Sequence, residues 1–328
     1  MAIPKFRSIW LVLFIFSLVA CGDPLKAKID NQVHFVETQL EKLAQRLDSG
    51  QIRNANLIKE YAAQLRSLKP EYSSIVNELA RDAGTKGPLY TNLLDRFEMA
   101  RGQPERFATQ EERLLELENL YQAASPELYN DALSDPLNVL ADLSQGVLPR
   151  VNAVSREASL QANQAEDFGA GSQLVGNPAY GQWSTQSNGM SFWEWYGMYA
   201  LISNVTDSFS GRRVRYNDWA RGRDYSYYHD YGRYRYSSPQ TIRKQNTIEQ
   251  KAKKSFSGGS FKSAYDKNRT GASRVSSASR LAKNSQSTFK SKYASGSSTS
   301  KSTQKSSRFG QSSFRSSGGS RSGGFGGK

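Results

Sequence analysis

The sequence predicts a mainly α-helical protein with an N-terminal antiparallel helical bundle, a small aromatic-rich segment and a disordered basic C-terminal tail. Three observations carry this. Apolar residues recur every three or four positions through residues 25–166, the spacing of one helix face. Trp, Tyr and Arg crowd residues 167–238, and Ser, Gly, Lys and Arg dominate residues 239–328. Hydrophobic residues make up 37% of the chain, so much of its length is not core. The net charge of +14 hides a division: residues 22–170 hold 16 Lys/Arg and 23 Asp/Glu, whereas residues 171–328 hold 26 and 7. Such a division implies two separate jobs, or halves that attract each other.

The first element is an export signal over residues 1–20. Lys5 and Arg7 precede an apolar run, Ile9–Ala20, interrupted only by Ser17. The run falls short of the roughly 20 residues that span a bilayer and has the length of a signal-peptide core. It ends in Leu18-Val19-Ala20-Cys21. This end resembles the lipobox of bacterial lipoproteins. The resemblance implies cleavage between Ala20 and Cys21 and a covalent lipid anchor on Cys21, palmitate included. It places the chain in the cell envelope, facing the periplasm. Gly22 follows the cysteine where an Asp would favour inner-membrane retention, so the outer membrane is preferred. Cys21 is the one cysteine, which excludes an intramolecular disulfide and a multi-cysteine metal site.

The second element, residues 21–166, reads as an acidic helical domain. Ile29, Val33, Val36, Leu40, Leu43 and Leu47 form one stripe, fit for the bundle interior or for a coiled-coil seam with a partner protein. Ile58, Tyr61, Leu65 and Leu68 form a second stripe, stopped by Pro70. Tyr72, Ile75, Val76 and Leu79 predict a third helix, and Leu89, Leu93, Leu94 and Phe97 a fourth after the loop Gly84–Pro88. Thr109 and Glu112 form a capping box before Leu114, Leu117, Leu120 and Tyr121. Ser125-Pro126 and Asp135-Pro136 each read as a cap followed by a first-turn proline. Val151, Val154, Ala158 and Leu160 predict a last helix. His34 stands alone and reads as structural, so no metal site is assigned.

The third element, residues 167–238, begins with a linker marked by Gly169, Gly171 and Gly176. Trp193, Trp195, Tyr196 and Tyr199 are candidates for a helix lying in the membrane interface. The competing reading is a packed unit whose rings bury one another. Arg212, Arg213, Arg215, Arg221, Arg223, Arg233 and Arg235 alternate with tyrosines and are candidate anion-binding residues, because a guanidinium grips phosphate or carboxylate with two parallel bonds. The motif Asn177-Pro178-x-Tyr180-Gly181-x-Trp183, with Ser191-Phe192-Trp193-Glu194-Trp195-Tyr196-Gly197, is similar to one in uncharacterised bacterial envelope proteins and implies no activity.

The fourth element is the tail. Residues 251–328 hold 17 Lys/Arg against one acid, Asp266, with 24 Ser and 11 Gly. Such a chain buries too little apolar surface to offset its ordering entropy. Together the elements predict a non-enzymatic envelope lipoprotein with neither catalytic residue nor cofactor. Its basic aromatic end would bind anionic lipid, lipopolysaccharide or peptidoglycan, and its helical domain a protein. Nucleic acid is not an expected partner of an exported chain. The alternative is a cell-wall-acting enzyme or accessory factor using Glu194 or the His229–Asp230 pair.

Overall fold

The computed structural model describes residues 23–151, 164, 168–205, 214–223 and 225–255. The expectations for Ala20 and Cys21, for the helix over Val154 to Leu160 and for the tail beyond Ser255 lie outside these residues.

The described chain is mainly helical, as its periodicity predicts. α1 (Pro24–Asp48) opens on Asp23, whose carboxylate accepts from the Leu25 N–H. Its stripe, Ile29, Val36, Leu40, Leu43 and Leu47, is buried, with Val33 partly so. The stripe faces α4 (Pro88–Gly102) and α5 (Gln110–Ala123) of the same chain. It is therefore bundle core, and the coiled-coil alternative falls.

α2 (Arg53–Leu68) buries Ile58, Tyr61 and Leu65 and leaves Leu68 51% exposed at the turn before Pro70. α3 (Ser73–Ala80) buries Ile75, Val76 and Leu79 against α2. On α4, Leu89, Leu93 and Phe97 go inward while Leu94 stays exposed. α5 begins at the predicted capping box: the Glu112 N–H donates to Thr109 Oγ1 at 3.1 Å, and the Glu112 carboxylate reaches back to the Ala108 N–H. α6 (Pro126–Ala132) is capped by Ser125, as predicted.

α7 (Ser134–Leu143) corrects one expectation. Asp135 does not cap it: the helix already includes Ser134, and Leu133 holds the cap position without a side-chain bond. Asp135 is instead buried and turned toward the distant segment 226–228. Its Oδ1 accepts from the Tyr227 N–H at 2.8 Å, and its Oδ2 from the Tyr228 N–H at 3.0 Å and the Ser226 hydroxyl at 3.2 Å.

The glycine segment is not a linker. Ala170 to Asn177 are buried, and the 3-10 turn Ser172–Leu174 packs on α7. Gln173 Nε2 donates to Asp142 Oδ2 at 3.2 Å. Gly171 and Gly176 have φ of +93° and +82°, and a Cβ on them would collide with Ile202 and His229 respectively. The glycines serve close packing as well as turning.

An antiparallel hairpin follows, β1 (Gly181–Thr185) and β2 (Ser191–Trp195). Trp183 pairs with Trp193 across it, their rings edge-on at 5.3 Å. α8 (Ala200–Val205), α9 (Tyr216–Gly222), a π-turn (Tyr228–Gly232), α10 (Arg233–Tyr236) and α11 (Pro239–Ser255) complete the fold. α11 carries ordered structure past the boundary drawn at residue 238: Ile242 and Ala252 anchor it in apolar clusters, which composition alone does not reveal. One core cluster runs from Ile29 to Tyr236, so the acidic half shares an interior with part of the aromatic segment, while Trp183, Trp193, Tyr216 and Trp219 gather in a second cluster.

Replacing Asp135 with Ala removes the buried acceptor for two backbone N–H groups and one hydroxyl. Unfolding in urea is expected to show a loss of about 2–4 kcal/mol. A loss below roughly 0.5 kcal/mol, the range of an ordinary surface change, would refute the role given to this carboxylate.

Candidate functional site

The arginines singled out by the sequence are largely structural. Arg223 is buried, 3.0 Å from Asp230 Oδ1, with its guanidinium 5.2 Å from the Trp219 ring centroid. Arg233 pairs with Glu249 at 2.6 Å and donates to Asn246 at 3.1 Å. Arg235 is buried and donates to Gln122. A buried guanidinium needs a carboxylate, carbonyl or ring to offset lost hydration. Here the chain's own groups fill that need, so these three are corrected from anion grips to internal struts. Arg215 and Arg221 remain exposed, and Arg212 and Arg213 lie outside the described residues.

The membrane-interface reading is corrected in the same way. Its residues form a hairpin strand and the turn after it, not one helix. Trp193 and Tyr199 are buried, Trp195 is partly buried, and Tyr196 alone of the four is largely exposed. Strand alternation, not helical periodicity, explains the pattern: Trp193 points to the packed face between Phe192 and Glu194.

Glu194 and the His229–Asp230 pair are each engaged by neighbours in the fold. Glu194 sits on the exposed face of β2 and accepts from the Ser184 hydroxyl at 2.7 Å. Asp230 is tied to Arg223. His229 packs edge-on against Trp219 at 4.4 Å, and burial, with Arg223 and Arg233 nearby, holds its imidazole well below the usual pKa, hence neutral.

A cavity of about 230 Å³ opens elsewhere, between α4, the hairpin and the start of α11. α4 contributes Asn92, Asp95, Arg96 and Met99 to its wall. The hairpin side contributes Pro178, Gln182, Trp183 and Tyr196, and α11 contributes Thr241, Lys244, Gln245 and Ile248. Tyr236, Ser237 and Ser238 close the third side. Asn92 and Asp95 share a face because they lie three apart on a helix. Arg96 is fixed behind them: its Nε donates to Glu116 at 2.7 Å and its Nη1 to the Arg235 carbonyl at 2.6 Å, while Nη2 is buried without an acceptor. Trp183 Nε1 is likewise buried and unpaired. None of the residues proposed from sequence as acid, base or anion grip lines this cavity. The aromatic side was visible in sequence as Trp183 and Tyr196. The helical sides were not, since Asn92, Asp95 and Lys244 look like any solvated helix face.

Among the described residues no three His, Cys, Asp or Glu side chains gather as a metal site, and no helix is long and apolar enough to cross a membrane. No protein family, no curated protein and no solved structure matches the chain.

Behind the hairpin, the Tyr199 hydroxyl donates to buried Asp82 Oδ2 at 3.3 Å. Burial pushes the Asp82 pKa from 3.8 up to about 8, and that of Asp135 up to about 7. Between the ordinary and the raised value the folded chain keeps a proton that the unfolded chain has released. Stability therefore falls as pH rises from about 4 to about 8, each group contributing at most about 1.4 kcal/mol per pH unit. Asp82→Asn carries no proton to lose and should flatten this slope. Urea unfolding at pH 5 and pH 8 compares the two chains; identical slopes would contradict a protonated Asp82.

Proposed function

We propose that this chain is a lipid-anchored envelope protein, held by Cys21, whose basic end binds anionic envelope surfaces without chemical turnover. One observation carries the reading. α1 starts at Pro24 and is capped by Asp23, so Gly22 alone separates the lipobox cysteine from the folded domain. A lipid there would hold the domain close to the bilayer surface, and α1, at 1.5 Å per residue, would run some 37 Å from that point. The Leu18–Cys21 motif and the preceding apolar run support the anchor. Residues 256–328, with 14 Lys/Arg and one acid, support the surface contact. Arg215 is an exposed basic residue of the aromatic segment that would add to it. The enzymatic alternative, through Glu194 or the His229–Asp230 pair, has less support: Asp230 is held by Arg223, and none of the three lines the cavity described above.

Two measurements test this. Mass spectrometry of the mature N-terminal peptide should show acylated Cys21, and Cys21→Ala should move the protein to the soluble fraction. An unmodified wild-type peptide, together with a variant that stays membrane-bound in high salt, would end the anchor proposal.

The purified chain should also bind vesicles containing anionic lipid and ignore neutral ones, with affinity falling steeply from low to physiological salt. Each basic residue near such a surface contributes about 1 kcal/mol, so deleting residues 256–328 should remove most of the binding. Salt-independent binding of equal strength to both vesicle types would refute the electrostatic arm.

A further inference from the structure

The cavity between α4, the hairpin and α11 has a chemistry that the anchoring reading does not use. Four of its polar groups are free: Asn92, Asp95, Lys244 and the Tyr196 hydroxyl make no side-chain hydrogen bond or ion pair among the described residues. Gln182 is held loosely, donating to Glu194 at 3.4 Å. Between these groups lie apolar surfaces, the rings of Trp183 and Tyr196 and the side chains of Met99 and Ile248.

This mixture discriminates among ligand classes. A wholly apolar ligand would strip water from Asn92, Asp95 and Lys244 and return no hydrogen bonds. A simple anion would meet Lys244 but also the Asp95 carboxylate. A small zwitterion would use Asp95 and Lys244, two exposed charges whose pairing is weak in water, and would leave the aromatic wall idle. A pyranose ring satisfies both kinds of surface. Its C–H face stacks on an aromatic ring, and its hydroxyls both donate and accept, matching Asn, Asp and Gln. Lys244 and the Asn92 amide give the wall donors without a partner among the described residues. An acetamido group offers Lys244 and Asn92 a carbonyl acceptor, and its methyl suits Met99 or Ile248. The cavity volume of about 230 Å³ accommodates one ring and not a chain.

We propose that this cavity binds a single N-acetylhexosamine unit of a saccharide, with Tyr196 as the stacking ring and Asn92 and Asp95 as hydroxyl partners. The inference stands on the cavity alone and does not depend on the lipid anchor. The test uses the mature full chain in detergent, with the trisaccharide of N-acetylglucosamine as probe. Tryptophan fluorescence and saturation-transfer NMR should report saturable binding, at least tenfold tighter than for the trisaccharide of glucose. Tyr196→Ala and Asp95→Ala, both at exposed positions, should each weaken binding tenfold or more, about 1.4 kcal/mol, with melting temperature unchanged. Asp48→Ala, at the far end of α1, should leave it intact. Absence of saturable binding, equal affinity for the two trisaccharides, or full affinity in both cavity variants would overturn the proposal. Preferential binding of glycylglycine would also overturn it, by assigning the cavity to zwitterions.

Discussion

The buried carboxylate of Asp135 is the constraint on which the second half of the fold depends. It lies on α7 in the acidic half, yet its hydrogen bonds go to Ser226, Tyr227 and Tyr228. Those N–H groups open the turn that runs into the π-turn and α10, and the first N–H groups of any helical segment have no partner within it. Asp135 therefore caps a helix that is not its own. With that turn fixed, the Tyr234 carbonyl reaches Asn119 and the Arg235 carbonyl reaches Arg96 at 2.6 Å. The position of α11, and so one wall of the cavity, follows from the same anchoring.

The opposite charges of the two halves take on a specific meaning in this frame. Arg243 of α11 pairs with Glu112 of α5 at 2.5 Å, directly between halves. Most other contacts across the seam are neutral or half-charged: Tyr236 donates to the Ala123 carbonyl at 2.9 Å, and Tyr199 donates to Asp82. Two buried guanidiniums of the basic half, Arg223 and Arg233, are neutralised within it, by Asp230 and Glu249. The halves attract, but through hydrogen bonds from tyrosine and buried carboxylates more than through surface ion pairs, which contribute little. Tyrosine suits this seam because one side chain brings both a ring to bury and a hydroxyl to pair.

This explains what the sequence could and could not reveal. The bundle was legible because burial on α1 to α5 follows helical periodicity, and because Thr109, Glu112 and Ser125 act on neighbours three residues away. Asp135 was misread because the same cap-and-proline signature served a partner about 90 residues distant, and no local pattern encodes such a partner. The glycines at 171 and 176 were misread for a related reason: a glycine that bends a linker and one that admits Ile202 or His229 look identical in sequence. The arginines were misread because charge was assigned to the surface by habit. Their carboxylate partners, Asp230 and Glu249, lie 7 and 16 residues along and could have been counted against them. The cavity was half legible. Its aromatic side stood out, while its helical sides became a site only when α4 and α11 were brought face to face.

The corrections change where a surface-binding function can reside. If Arg223, Arg233 and Arg235 had projected outward, the aromatic segment would have been a basic patch in its own right. Their burial leaves a folded domain whose remaining free groups around the cavity are of both signs, Asp95 and Lys244, and so are poorly suited to a uniformly anionic surface. Strong, non-directional attraction is then left to the segment after Ser255, where Lys and Arg are almost unopposed. The two parts divide the work by physics. As proposed, an arm rich in charge would supply long-range, salt-sensitive contact that any polyanion satisfies. The cavity, lined by rings and amides, would supply short-range contact that only a matching ligand satisfies. The buried hydrogen bonds of Asp135, Arg96 and Asn119 hold residues 226–228 and α10, which lead into α11, against the bundle. A cavity between two helices discriminates only if its width is fixed, and here Asp135, Arg96 and Asn119 fix it from behind.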